Sequence, residues 1–102
     1  MGVTSASANH LTITAMLLER ATLRYTPAGV PVVDVLLEHR SEQLEAGQAR
    51  QVTLQLKAIV FGAIAESLSL QPLGIDLDAR GFLTNARNGK GVVFHIQDFK
   101  PI

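Results

Sequence analysis

Three histidines, nine carboxylates and nine basic side chains are the groups in this 102-residue chain that could do chemistry. His10, His39 and His95 lie far apart, with no i, i+4 pair and no carboxylate at metal-ligand spacing, so no metal site is expected. Ser41 follows His39 by two residues, but no glycine-flanked nucleophile elbow and no fixed acid accompanies them. Asp76 and Asp78 fall two apart on one face of a strand pattern. Paired carboxylates can exchange protons in catalysis, yet an exposed strand face explains them equally well. No catalytic residue is assigned, and the chain is expected to be no enzyme and to need no cofactor.

Contact with phosphate is the better-supplied chemistry. Arg20 and Arg24 flank a first turn, Arg40 and Arg50 bracket a long polar stretch, Lys57 points outward from a strand, and "ARNGKG" places Arg87 and Lys90 at a hairpin tip. That string resembles a phosphate-cradling loop only superficially, because the Walker spacing and its following helix are missing. Base stacking is poorly supplied: there is no Trp, one Tyr and four Phe. Tyr25, beside Arg24, is the best stacking candidate. Phe94 is in phase with Ile96 and reads as core, whereas Phe82 is out of phase and could face solvent. Acidic neighbours at Glu38, Glu42 and Glu45 weaken any positive field.

The elements that must position these groups are short strands. "HLTITAMLL" (10–18) has period two, with apolar residues on both faces of its second half, as if a second subunit covered it. "TPAG" supplies a turn, and Val30 to Glu38 is nearly continuously apolar. The polar "EHRSEQLEAGQARQ" (38–51) reads as a long loop, too long for a mere turn and therefore expected to touch something. "RQVTLQLKAIVFG" alternates again. "AIAESLSLQ" spaces Ile64, Leu68 and Gln71 as a short helix ended by Pro72. "IDLDARGFLTNA" alternates until Gly81 interrupts it, as at a bulge or bend. "RNGKG" carries an Asn-Gly turn, and "VVFHIQDF" is the last strand. Five strands with a short helix between strands 3 and 4 describe an all-β OB-fold, a five-stranded Greek-key barrel that binds oligonucleotides or sugars across its strand 2–3 face. Fold alone does not decide function, since many such domains bind only proteins.

Composition sets the limits. Apolar residues are 47% of the chain and charged residues 18%, as in an ordinary globular protein. The net charge of zero lacks the whole-chain basic signature of nucleic-acid binders, so attraction for phosphate must come from local clustering. The absence of cysteine excludes disulfides and thiolate zinc. No apolar run approaches the ~20 residues that cross a bilayer, and "MGVTSASAN" has no signal-peptide pattern. A disordered lead-in over 1–8, one OB domain over 9–102 and a cytoplasmic location are expected.

At "PAGVPVVDVLLEHRSEQLEAGQARQ" the chain resembles the PriB family, primosomal replication protein N, small relatives of the bacterial single-stranded-DNA-binding protein. The resemblance continues through "AIVFG", "GFLTNARNG" and the "H" of "VVFH", and "LEHRS" with "EAG" and "RQ" is its most specific part. It implies a homodimeric OB-fold protein that binds single-stranded DNA, stabilises the PriA helicase on forks and assists a DnaT-type loader, without catalysis, at replication forks on the nucleoid. Arg24, Arg40, Arg50 and Arg87 fall where the family places basic DNA-contacting residues, and Lys90 falls near another. Gln48 and Thr53 stand where better-studied members carry aromatics, and Asn85 where they carry a lysine. Gln48 and Thr53 are then expected to give polar help only. No membrane and no small-molecule substrate is implied. The rival reading is a protein-interaction adaptor of the primosome with weak or incidental DNA binding.

Overall fold

The computed structural model describes residues 7–102. Strands β1 (Leu11–Arg20), β2 (Arg24–Tyr25), β3 (Pro31–Glu45) and β4 (Gln48–Phe61) precede helix α1 (Ala63–Ser69), and β5 (Asp76–Asn85) and β6 (Val92–Pro101) follow it. One sheet runs β1-β5-β6-β4-β3-β2, and a further β1–β3 pairing closes its five long strands into a barrel. Closure needs β1 to serve two partners. Its first half pairs with β5 (Leu11↔Gly81 to Met16↔Asp76), and its second half with β3 (Met16↔Glu38 to Arg20↔Val35). Leu18 is the extra residue where the register shifts, and such a bulge lets a strand bend from one partner to the next. The seam between β4 and β6 is parallel. The expected OB-fold is therefore the fold observed, with the two-residue β2 as an edge piece on β3.

Alternation decides which residues fill the barrel. Leu17, Val33, Leu37, Val60, Leu77 and Phe94 are fully buried inside it, Ile96 nearly so, as their period-two phasing requires. Each such side chain contributes roughly 1.5–3 kcal/mol through burial. The short helix plugs one end with Ala65 and Leu68, while Ile64 is only partly buried and Gln71 lies beyond the helix end. At the other end of the chain's first strand, the Asn9 side-chain amide imitates a strand partner: Nδ2 donates to the Leu83 carbonyl and Oδ1 accepts from the Leu83 N–H. The lead-in expected over 1–8 falls almost wholly outside the described residues.

Gly81 has a steric reason. A Cβ there would lie 1.7 Å from the His95 backbone oxygen. The register shifts at that point, with Arg80 opposite Asp98 and Gly81 opposite Ile96, so Gln97 on β6 is the extra residue. The bend read from the sequence is thus a close approach of two backbones that only glycine permits.

Two expected connections differ from the structure. The stretch 38–51 is no loop: β3 and β4 stay paired through fourteen consecutive rungs, from Val32↔Phe61 to Glu45↔Gln48. The connection is only Ala46-Gly47, both left-handed (φ 52° and 78°), as a type I′ hairpin turn requires. The hairpin runs past the barrel as an arm, and the Cα radius of gyration of 15.0 Å exceeds the ~13 Å of a compact domain this size. The β5–β6 connection is also not a two-residue Asn-Gly turn. Gly89 N–H closes a turn on the Ala86 carbonyl, Ala86 N–H bonds the Gly91 carbonyl, and left-handed Gly89 and Gly91 complete a six-residue loop.

Candidate nucleic-acid interface

The outward faces of β3, β4 and β6, with β2 and the β5–β6 loop as rims, enclose an open cleft of about 1000 Å³. Its floor is apolar: Val32, Leu36, Ile59 and Val93 line it. Four cations (Arg20, Arg24, Lys57, Arg87) and two anions (Glu19, Asp34) stand around that floor. A chain with no net charge therefore carries a local excess of positive charge on the wall where this fold class takes its ligands.

Pairing modifies that excess. Arg24 donates to the Asp34 carboxylate across the β2–β3 ladder, so both charges are partly used. Arg20 donates to the Gln71 carbonyl beyond the helix. Lys57 and Arg87 make no ion pair among the described residues, and both are exposed. Tyr25 is 57% exposed at the cleft rim, its hydroxyl 3.4 Å from Glu66 Oε2. Of the site residues expected from sequence, the cleft gathers Arg24, Tyr25 and Arg87.

The rest lie elsewhere. Lys90 sits exposed in the β5–β6 loop near Arg87, its N–H bonded to Asn88 Oδ1. Arg40, Gln48, Arg50 and Thr53 belong to the arm. Thr53 is opposite Arg40, Arg50 opposite Gln43, and Gln48 opposite Glu45. Because side chains alternate along an uninterrupted ladder, Arg40 and Thr53 share the face of Lys57, whereas Gln48 and Arg50 point the other way. Arg40 is 3.2 Å from Glu38 and lines a smaller depression with Thr14, Met16 and Asp76. Arg50 pairs with Glu45. The five basic residues expected to contact DNA, Arg24, Arg40, Arg50, Arg87 and Lys90, are divided between two regions.

The His39–Ser41 pair is a structural clamp. A carbonyl oxygen only accepts, so His39 Nδ1–H donates to Thr14 O (2.6 Å), and its Nε2 is hydrogen-bonded to the Ser41 hydroxyl (2.7 Å). Gln43 then donates to Ser41 Oγ at 2.9 Å. A backbone carbonyl stands where a catalytic serine system would hold a carboxylate. The chain of bonds ties the root of the arm to β1.

Sequence reasoning passed over Lys57, Phe61 and His95 as site residues. Phe61 is 45% exposed, and its ring stacks on His95 at 5.7 Å and 19°; His95 stacks on Phe82 at 4.9 Å and 21°. The signal was parity: Phe61 and His95 are each next to a core residue (Val60 and Phe94), so they must point outward. Phe82, read as out of phase, does face outward.

The comparisons agree with this geometry. Residues 9–98 match a family described as "Another single-strand binding protein family". The replication restart protein PriB of Bordetella pertussis is 40% identical over 95 residues, covering 92% of this chain and 89% of that protein. The structure of PriB from Ralstonia solanacearum superposes with a TM-score of 0.84 at 42% identity, covering 93% of this chain and 98% of that one. The single-stranded DNA binding protein from Thermus aquaticus shares the fold, with a TM-score of 0.74 at 24% identity over 93% of this chain and 50% of its own. The chain therefore belongs to the PriB family of replication restart proteins, within the single-strand-binding OB-fold group.

Proposed function

We propose that this protein is a non-catalytic replication-restart factor that binds single-stranded DNA without sequence preference. The carrying observation is the apolar cleft on the β3–β4–β6 wall, ringed by four cations against two anions in a chain of zero net charge. Arg24, Arg87 and Lys90 would meet phosphates with Lys57, which the structure adds. Tyr25 would offer a ring at the rim, and Arg40, Arg50, Gln48 and Thr53 would guide the strand along the arm. The PriB relatives support a place in the primosome, where the partners would be the PriA helicase and a DnaT-type loader. A homodimer fits the half-buried Met16 and Leu18 on the outward face of β1. Sedimentation giving a monomer at micromolar concentration removes that part of the proposal.

Anisotropy of a labelled single-stranded oligonucleotide at two salt concentrations tests the central reading. With ~3 phosphates neutralised, affinity should fall ~20-fold between 50 and 200 mM salt. Binding that ignores salt contradicts it.

One observation favours a second reading, the adaptor. Arg24, Arg40 and Arg50 are each already paired with a carboxylate, which leaves less charge for DNA. Reversing Arg50 and Arg87 separates the readings: lost DNA binding with intact partner binding supports the first, and the opposite pattern supports the adaptor.

A further inference from the structure

An asparagine followed by glycine is chemically labile, because the next backbone nitrogen is unshielded by a side chain and can close on the asparagine's own amide carbon. The chain has three asparagines, and the fold treats them differently. Asn9 is held at both ends of its amide by the Leu83 backbone, and His10 follows it. Asn85 is the last residue of β5, paired with Val92 of β6, and Ala86 follows it. Asn88 is exposed in the β5–β6 loop, and Gly89 follows it. Gly89 is itself exposed and left-handed (φ 75°), with open space where a side chain would stand.

Among the described residues the Asn88 amide makes one side-chain bond: its Oδ1 accepts from the Lys90 N–H at 2.8 Å. That bond draws electrons from the amide carbon and sets a donor where the oxygen of a tetrahedral adduct gathers charge. The flanking Arg87 and Lys90 cations favour both loss of the Gly89 amide proton and an anionic product. One restraint opposes the step, the 2.8 Å bond from the Gly89 N–H to the Ala86 carbonyl. It belongs to an exposed loop turn, where local opening costs little.

We infer that Asn88 is a site of self-modification, at which water converts the side-chain amide to a carboxylate within the cleft. The Gly89 nitrogen gives its proton to solvent and bonds to Asn88 Cγ; the Cγ–Nδ2 bond breaks, and Nδ2 leaves as ammonia. One water then opens the cyclic imide at either carbonyl, giving aspartate or isoaspartate. The balance is amide plus water to acid plus ammonia, with no change of oxidation state. Asn88 lines the cleft beside Arg87, so its new carboxylate changes four cations against two anions into four against three. Weaker binding of a single strand follows, and that half of the inference rests on the single-strand-binding reading.

The chemical half is tested without DNA. The full chain is incubated at mildly alkaline pH and sampled by peptide mapping, with isoaspartate identified by enzymatic methylation. Asn88 should convert first, while Asn9 and Asn85 stay intact. Conversion of Asn9 or Asn85 ahead of Asn88 overturns the site, as does an intact Asn88 once a free Asn-Gly peptide has fully reacted. Asn88→Asp, titrated with an oligothymidylate at low salt, should bind roughly 2- to 5-fold more weakly than the unaltered chain, and the gap should close as salt rises. The acidic fraction of incubated protein should behave in the same way. Incubated and fresh Asn88→Gln should bind alike, because the longer side chain cyclises far more slowly. Equal binding by Asn88→Asp and the unaltered chain, or a loss that salt does not reduce, overturns the effect on the cleft and leaves the single-strand-binding reading standing. If the unaltered chain binds no oligothymidylate, that reading fails and the effect on the cleft fails with it, whatever the peptide map shows at Asn88.

Discussion

Strands β3 and β4 pass through two environments. Up to about Leu37 and Leu56 they are barrel wall, with Val33, Val35, Ala58 and Val60 buried on one face and the cleft on the other. Beyond that they form the arm, where residues 42–51 are all exposed on both faces and Leu44 is 78% exposed. On the wall Arg24 is paired with Asp34 but Lys57 makes no ion pair among the described residues, and neither does Arg87 at its rim, while both arm arginines are paired, Arg40 with Glu38 and Arg50 with Glu45. One pair of strands thus supplies a rigid, electrostatically available surface and a pliant, self-neutralised one. The difference comes from what lies beneath each strand, because the backbone ladder is the same throughout.

The comparison breaks most sharply at Gly81. Gly81→Ala would drive a Cβ into the His95 carbonyl that supports the cleft wall, and we expect a loss of ~3 kcal/mol or more in chemical denaturation. A change within experimental error would mean the wall can yield and is not the rigid partner. Next in size, Lys57→Glu and Arg87→Glu should each weaken single-stranded DNA binding about 10-fold and flatten the salt slope by ~0.7. Arg40→Glu and Arg50→Glu should do less, since each cation already has a carboxylate. Equal losses in both regions would erase the distinction. Freeing one arm cation is a smaller effect: Glu45→Gln should tighten DNA binding ~2-fold at low salt, because an exposed pair of this kind is worth at most ~1 kcal/mol. Least of all, replacing residues 41–52 by Asn-Gly should alter unfolding free energy by under ~1 kcal/mol, for the arm buries almost nothing. A large loss there would make the arm part of the core.

The wall was readable from the sequence because burial leaves a period-two record. The strands and the break at Gly81 followed from it, while the Thr26–Gly29 turn and the Pro72 stop were marked by proline and glycine. The arm left no such record. With both faces wet, nothing selects apolar residues on alternate positions, so 38–51 looks like a loop although it is fully paired. Its turn was equally quiet: Ala46 takes a left-handed conformation that alanine seldom signals. At the site, charge could be counted but not placed, since pairing partners such as Asp34 for Arg24 are set by the cross-strand register. The stack of Phe61 on His95 needed the parallel β4–β6 seam, which no local pattern announces.

The unbroken ladder of the arm has a consequence for how such chains can change length. Adding or removing two residues from each strand moves the Ala46-Gly47 tip by one full pleat and returns every remaining side chain to its own face. A change of one residue per strand inverts the tip relative to the root, and a change in one strand alone forces a bulge. The clamp from His39 to Thr14 marks where this freedom begins, because everything on the barrel side of it is held by the core. The arm is therefore a unit that can be lengthened, shortened or exchanged in even steps while the barrel keeps its register.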